Sequence, residues 1–139
     1  MLIKASLRMR PDRIIVGEVR GAEALDMLSA MNTGHDGSLS TGHANSTEDM
    51  LTRLESMVLM AVELPLSAIK KQIAAGLDIL VHLQRMRDHS RRVTEISEIR
   101  GVENGEITLN KIYEFNNATG RLEKKNKLLH REKLEINGA

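Results

Sequence analysis

The chain has no cysteine, which excludes disulfides and also zinc or iron–sulfur sites built on thiolates. Aromatic side chains are almost as scarce, with one tyrosine and one phenylalanine among 139 residues. Proteins that bind single-stranded nucleic acid stack its bases on several aromatic rings, so this composition argues against that class. The formal net charge is only +1 and provides no field that would favour nucleic acid. The core must therefore consist of aliphatic residues and the eight methionines.

Long hydrophobic runs are also missing. The longest apolar run covers residues 57–62, far short of the roughly 20 residues that a membrane-spanning helix needs. The first nine residues, MLIKASLRM, hold too short an apolar stretch for a signal peptide. With 41% hydrophobic and 28% charged residues, the composition is typical of a folded protein. These observations predict a single cytoplasmic domain with a modest core.

The first half of the chain predicts a strand, a helix and a second strand. Residues 14–19 are rich in β-branched side chains without alternation, which is typical of a strand buried on both faces of a parallel sheet. Residues 22–34 are rich in Ala, Leu and Met and predict a helix of about three turns. Residues 38–43 are the second strand candidate. Two parallel strands are too few for a stable doubly covered sheet, so further strands are expected upstream.

Two helices and an antiparallel meander are predicted to follow. Ser46 is a candidate N-cap, and Pro65 begins a second helical pattern that Gly76 ends. Residues 77–83 alternate between apolar and polar, which predicts a strand with His82 on its solvent side. Two further strand patterns, residues 91–100 and 106–115, flank an Asn-Gly pair that is a strong hairpin signal. The tail from Arg121 is charged and is predicted to be helical or disordered.

A carboxylate follows the first predicted strand, in the segment 10-RPDRIIVGEVRG-21. Glu18 would lie at the carboxyl end of a parallel strand, where ligands bind in open α/β sheets. There it could orient or deprotonate a water that attacks a phosphate. The alternative is a surface ion pair with Arg20 or Arg13.

An imidazole follows the second predicted strand, in the segment 40-STGHANS-46. His43 would point into the same cleft as Glu18 and could contact a terminal phosphate. The alternative is a histidine that only caps or closes a loop. His35 and Asp36 together with His43 have no spacing that fixes a ligand geometry, so no metal site is predicted.

A phosphate-binding loop is missing from these residues. A P-loop requires the pattern G-x-x-x-x-G-K-[ST], and the sequence contains no Gly-Lys pair. The 139 residues therefore contain no P-loop that could bind a phosphate beside Glu18.

The segment 6-SLRMRPDRIIVGEVRGAEALDMLSAMNTGHDGSLSTGHANS-46 resembles the type II/IV secretion ATPase superfamily, and so does 64-LPLSAIKKQIAAGLDILVHLQR-85. The resemblance is strongest to the ATPases of Tad/Flp-type pilus assembly. It implies that IIVGEVRG is the Walker B segment with Glu18 as its catalytic residue. It also implies that SLSTGHANS is the histidine box, with His43 beside the nucleotide. The remaining implied site residues, which contact the nucleotide or a neighbouring subunit, are Arg8, Arg10, Arg20 and Thr41.

The resemblance also implies a fold. The expected class is α/β: the C-terminal half of a RecA-like P-loop NTPase core, followed by helices and an antiparallel β meander. Residues 1–120 would belong to the motor domain and residues 121–139 would form the charged tail.

The intact protein that the resemblance implies is a hexameric ring that uses ATP and Mg²⁺. It would act with inner-membrane platform proteins at the cytoplasmic face of the membrane, without membrane insertion or nucleic acid binding. This chain alone is not expected to bind ATP tightly or to hydrolyse it. The alternative is a non-catalytic interaction or regulatory fragment that joins a motor ring, or the product of a truncated gene.

Overall fold

Four helices and six strands make up the fold of the described part of the chain. The computed structural model describes residues 2–132 and residue 135. The elements in chain order are α1 (Leu2–Leu7), β1 (Ile15–Val16), α2 (Glu23–Met31), β2 (Leu39–Ser40), α3 (Thr47–Ala61), α4 (Leu66–Gly76), β3 (Ile79–Arg85), β4 (Arg91–Glu103), β5 (Glu106–Asn116) and β6 (Arg121–Lys124). This order confirms the predicted α/β class with an antiparallel meander after the helices.

The strands β1 and β2 form a short parallel pair, and α2 connects them. Hydrogen bonds extend the pair beyond the strands, because Leu39 N donates to Ile14 O at 3.1 Å and Val19 N donates to Thr41 O at 3.0 Å. The prediction that residues 14–19 are buried on both faces is wrong, since the Ile15 side chain is 67% exposed. Among the described residues β1 pairs only with β2, so its other edge has no partner strand.

The three longer helices pack together, and α3 and α4 contact the antiparallel sheet. Ser46 is the N-cap of α3, as predicted, since its hydroxyl accepts a hydrogen bond from Asp49 N at 3.0 Å. Asn32 joins α2 to α4 by donating to Leu28 O at 2.9 Å and to Gln72 O at 3.1 Å. The buried core residues are Val19, Ala24, Met27, Leu28, Leu51, Leu54, Met57, Val58, Ile69, Ile73 and Ile99. Within residues 2–132 and residue 135, none of the helices combines the length and apolar character that a membrane crossing requires.

The antiparallel sheet has the strand order β3-β4-β5-β6. Its central hairpin turns at Asn104 and Gly105, whose φ angles are 51° and 82°. Glu103 lies opposite Glu106 in the register, so the loop has two residues. Two residues with positive φ are the mark of the hairpin turn that an Asn-Gly pair favours, and the predicted hairpin is confirmed.

The apolar face of β3 is turned the opposite way from the prediction. Ile79, Val81 and Leu83 are 42%, 50% and 61% exposed. His82, predicted to face solvent, is half-buried and its Nδ1 lies 2.9 Å from Thr94 Oγ1. The reason is that β3 is an edge strand, and its apolar side chains face a groove rather than the packed core.

The beginning of the charged tail is a strand rather than a helix or a disordered segment. Residues 121–124 form β6 and pair with β5, with Tyr113 opposite Lys124. After β6 the chain crosses the sheet, where the buried Glu98 carboxylate accepts hydrogen bonds from Leu129 N and His130 N at 2.9 and 2.7 Å. The meander therefore continues past residue 120. Residues 133, 134 and 136–139 of the predicted tail lie outside the described residues.

Candidate functional site

Glu18 and His43 meet where the two parallel strands end. The Glu18 Oε1 atom lies 3.1 Å from His43 Nε2, in an ion-pair contact that lacks the alignment of a hydrogen bond. The other oxygen, Oε2, accepts a hydrogen bond from Arg20 Nη2 at 2.7 Å. The Glu18 side chain is 25% exposed, but Oε1 itself is hidden from solvent. Glu18 therefore contacts His43 and also forms the ion pair with Arg20.

The Glu18 carboxylate is held in its ionised form. The hydrogen bond from Arg20 lowers the pKa of Glu18 below its ordinary value, and the charges of Arg20 and His43 act in the same direction. Partial desolvation opposes this effect without outweighing it. At neutral pH the group is therefore a carboxylate with one oxygen occupied by Arg20 and one that remains able to accept a proton or a hydrogen bond.

Short-range contacts fix the backbone on both sides of Glu18. The Thr41 hydroxyl donates to Gly17 O, and Val19 N donates to Thr41 O at 3.0 Å. Downstream, the Glu23 carboxylate accepts hydrogen bonds from Arg20 N at 2.7 Å and Gly21 N at 3.1 Å. Glu23 was not among the predicted site residues. The signal that could have identified it is an acid in the first turn of the helix that follows Gly21.

Four of the six predicted site residues come together, and two do not. Arg20 and Thr41 contact Glu18 and the preceding residue, as described above. Arg8 and Arg10 are exposed in the segment between α1 and β1. No hydrogen bond or ion pair within residues 2–132 joins either of them to Glu18 or His43.

His43 and Thr41 also line an apolar groove of about 620 Å³ that runs to β3. One wall carries Val81 and Leu83 of β3, and Met50 of α3 also lines the groove. Within the described part of the chain, β2 pairs only with β1, and β3 pairs only with β4. Each of these two strands therefore leaves one edge without a partner strand, and both contribute residues to the same groove.

Comparison with known proteins assigns the chain to a family. A family model described as "Type II/IV secretion system protein" matches residues 1–131. A putative conjugal transfer protein of Mycobacterium tuberculosis H37Rv is 45% identical over 102 residues, which cover 73% of this chain and 29% of that protein. The conjugal transfer protein TrbB of Rhizobium radiobacter is 41% identical over 103 residues, which cover 74% of this chain and 31% of TrbB.

A solved structure shows the same relation in three dimensions. The crystal structure of the VirB11 ATPase from the Brucella suis type IV secretion system, in complex with sulphate, superposes with a TM-score of 0.65 at 33% identity. The match covers 70% of this chain and 32% of the VirB11 chain. The present chain thus spans less than a third of the length of each of these three relatives. Because the family model covers residues 1–131 of the 139, the chain belongs to the type II/IV secretion system protein family.

Proposed function

We propose that this chain forms the C-terminal part of the motor domain of a type II/IV secretion ATPase, and that Glu18 and His43 act in ATP hydrolysis. The observation that carries the proposal is the 3.1 Å contact between Glu18 and His43 at the ends of adjacent parallel strands. Ligands of open α/β sheets bind at that edge. Family membership adds that the whole relatives with this segment include a protein named as an ATPase.

Glu18 would orient or deprotonate the attacking water through Oε1, which lies beside His43 and is hidden from solvent, so the water would reach it only when the His43 imidazole turns toward the phosphate. Its other oxygen is occupied by Arg20 at 2.7 Å, so Arg20 holds the carboxylate in place and keeps it ionised. His43 is 84% exposed, and its imidazole is free to reach a terminal phosphate. Arg8 and Arg10, both exposed, would contact the nucleotide or a neighbouring subunit.

The residues of this chain fit one side of a site for ATP, whereas residues 2–132 and residue 135 contain no cluster of three or more His, Asp or Glu side chains that could hold Mg²⁺. Glu18 and His43 suit the water and the terminal phosphate, whereas the 139 residues hold no Gly-rich loop with a lysine to bind the other phosphates. The groove is a candidate docking site for the segment that would carry the phosphate-binding loop. Among the described residues β2 and β3 each leave one edge without a partner strand, and both strands line this groove.

The finer features of the proposal rest on the sequence resemblance. We assign the chain to the Tad/Flp-type pilus branch, with a hexameric ring that works with inner-membrane platform proteins at the cytoplasmic face. The relatives reported above are named for conjugal transfer and type IV secretion. Deletion of the gene in its source organism tests the branch, since we expect loss of pili with conjugal transfer unchanged. Loss of transfer with pili intact would assign the chain to the other branch.

A non-catalytic interaction fragment is the second candidate. It is favoured by the ion pair between Glu18 and Arg20, which a purely structural carboxylate would also form. This alternative predicts that removing the charge of Glu18 leaves turnover unchanged and alters stability by about 0–1 kcal/mol.

The deciding experiment uses a complete motor domain that carries residues 1–139 together with a phosphate-binding loop. Glu18→Gln should preserve nucleotide affinity and lower steady-state turnover by at least about 100-fold. His43→Ala should lower turnover less, because water can partly replace an imidazole at a phosphate. The exposed Glu63 provides the control, and Glu63→Gln should leave both quantities unchanged. Near-normal turnover of Glu18→Gln would exclude Glu18 as the base.

A further inference from the structure

A buried carboxylate on the antiparallel sheet holds the first residue of α3. The Glu95 Oε1 atom accepts hydrogen bonds from Thr47 Oγ1 at 2.6 Å and from Ser97 Oγ at 2.5 Å. The ammonium group of Lys111 on β5 lies 3.4 Å from the other oxygen. The Glu95 side chain is only 13% exposed, and Thr47 is 3% exposed. Helix α3 is therefore joined to β4 and β5 through one acceptor group.

The Thr47 hydroxyl has two possible acceptors, and the shorter distance identifies Glu95 as the one to which it donates. A hydroxyl has one proton to donate, and Thr47 Oγ1 lies 3.1 Å from Glu48 Oε2 but 2.6 Å from Glu95 Oε1. Burial raises the pKa of Glu95, but the hydrogen bonds from Ser97 and Thr47 together with the ammonium group of Lys111 outweigh it and hold the pKa below its ordinary value. The acceptor is thus an ionised carboxylate, which forms stronger hydrogen bonds than a neutral group.

The loop that carries His43 is fixed at both of its ends. At the upstream end, Thr41 is hydrogen-bonded to Gly17 O and Val19 N. At the downstream end, Thr47 is held by Glu95, and only the five residues 42–46 separate the two anchors. A loop this short has little freedom to absorb a displacement of one anchor, so a shift of Thr47 must move His43 relative to Glu18.

Packing within the loop strengthens this coupling. A Cβ atom at Gly42 would lie 2.5 Å from Met50 Cε, so the backbone of the loop sits directly against α3. The Ser46 cap fixes the direction in which α3 starts, because its hydroxyl accepts from Asp49 N at 3.0 Å. Contacts between Glu95 and Thr47 then set the lateral position of the same helix end.

We propose that Glu95 is a positioning residue that, through Thr47, sets the place of His43 beside Glu18. The antiparallel sheet would thereby influence the geometry of the candidate site through the Glu95 side chain, which lies 52 residues after His43 in the sequence. The effect on turnover rests on the proposed function, whereas the effect on the position of His43 does not.

The isolated chain tests the positional claim by NMR. Thr47→Val removes the hydroxyl and keeps the shape of the side chain, and Thr52→Val is the matched control on the exposed side of the same helix. We expect Thr47→Val to shift the backbone amide signals of residues 42–46 and to remove the nuclear Overhauser contact between the His43 ring and the Glu18 side chain. Thr52→Val should preserve both. Wild-type loop signals in Thr47→Val would overturn the proposal.

Three further variants distinguish the proposed effect from a simple loss of folding. Glu95→Gln keeps one acceptor oxygen for Thr47 and should retain the wild-type loop signals, whereas Glu95→Ala should reproduce the effect of Thr47→Val. Thr47→Ser restores a hydroxyl at the same position and should restore the contact between His43 and Glu18. Loop signals that change equally in Thr47→Ser and Thr47→Val would overturn the role of the hydroxyl.

The kinetic consequence is measured in the complete motor domain. Misplacement of a reacting group by about 1 Å costs up to roughly 100-fold in rate, so Thr47→Val should lower kcat by about 10- to 100-fold with KM unchanged, and Thr47→Ser should recover most of it. An unchanged kcat together with a displaced His43 would overturn the positioning role in hydrolysis. If Glu18→Gln also left turnover unchanged, the proposed function would fail while the NMR result stood.

Discussion

Replacement of Glu98 by glutamine tests how the end of the chain is held on the sheet. Glu98 lies on β4 and is 2% exposed. Its Oε2 atom accepts from Asn110 Nδ2 and Leu129 N, both at 2.9 Å. Its Oε1 atom accepts from His130 N at 2.7 Å and lies 3.1 Å from His130 Nδ1. Both oxygens of this buried carboxylate therefore accept hydrogen bonds, three in all.

A glutamine cannot satisfy the same set of donors. Its amide group replaces one oxygen with an NH₂ group, which then faces N–H donors in a buried site. Hydrogen bonds to charged groups are worth about 1.5–3 kcal/mol each, and breaking a buried ionic group costs about 3–5 kcal/mol. We therefore expect Glu98→Gln to lower the free energy of unfolding by about 3–5 kcal/mol.

Urea denaturation followed by circular dichroism measures this change, and the same strand provides a control. Glu103 is about half exposed and pairs with Arg100 at 3.3 Å on the surface. Glu103→Gln should change the free energy of unfolding by only about 0–1 kcal/mol. If the two variants differed by less than about 1 kcal/mol, the account of Glu98 as a buried anchor for residues 129 and 130 would be refuted.

The Glu98 carboxylate also makes the free energy of unfolding depend on pH. Burial raises the pKa of Glu98, but the hydrogen bonds from Asn110 and from the N–H groups of His130 and Leu129 outweigh it, and the pKa is lowered. A carboxylate with a lowered folded-state pKa stabilises the fold above the ordinary glutamate value of about 4.3 and loses that contribution as pH falls below it. The free energy of unfolding should therefore fall less steeply with acid in Glu98→Gln than in the wild type.

Three further predictions concern the isolated chain. Calorimetric titration with Mg-ATP should show no micromolar binding, because the residues that would hold the phosphates are not among these 139; micromolar affinity with turnover would contradict this. Light scattering over a concentration series should reveal self-association through the exposed apolar edge of β3, and Val81→Lys should reduce it; a wild-type monomer at high concentration would argue against an exposed docking edge. Gly105→Ala should destabilise the chain by roughly 1–2 kcal/mol, because the φ angle of Gly105 is 82°. Gly17 has equally open space around it but no positive φ angle, so Gly17→Ala should have little effect on the melting temperature. Equal melting temperatures of the two variants would contradict the turn assignment.

Features that depend on local conformational preference could be predicted from the sequence. The Ser46 cap and the Asn104-Gly105 turn are determined by residues within a few positions of each other, and both are confirmed. The proximity of Glu18 and His43 could be predicted as well, because each follows one of two strands joined by a single helix. Side chains at the carboxyl ends of neighbouring parallel strands lie at the same edge of a sheet.

Features that depend on distant partners could not be predicted. The alternation of apolar and polar residues along β3 separates the two faces of the strand but does not tell which face the rest of the protein covers. The predicted orientation of His82 was therefore wrong. The hydrogen bond between Thr47 and Glu95 joins residues that are 48 positions apart, and no local sequence pattern predicts it. Three of the four residues 121–124 are charged, yet the segment forms a strand because it pairs with the edge of β5. Charge alone predicts exposure and does not exclude a strand at the rim of a sheet.

The central claim is that Glu18 acts on the water that attacks ATP, and a single-turnover measurement tests it most directly. A complete motor domain that carries this chain is loaded with ATP, and the rate of phosphate formation in one cycle is compared between wild type and Glu18→Gln. This rate is independent of product release, which limits the steady state of many enzymes. We predict a decrease of at least about 100-fold with nucleotide binding retained. An equal single-turnover rate in the two proteins would contradict the account and leave Glu18 with a structural role beside Arg20 and His43.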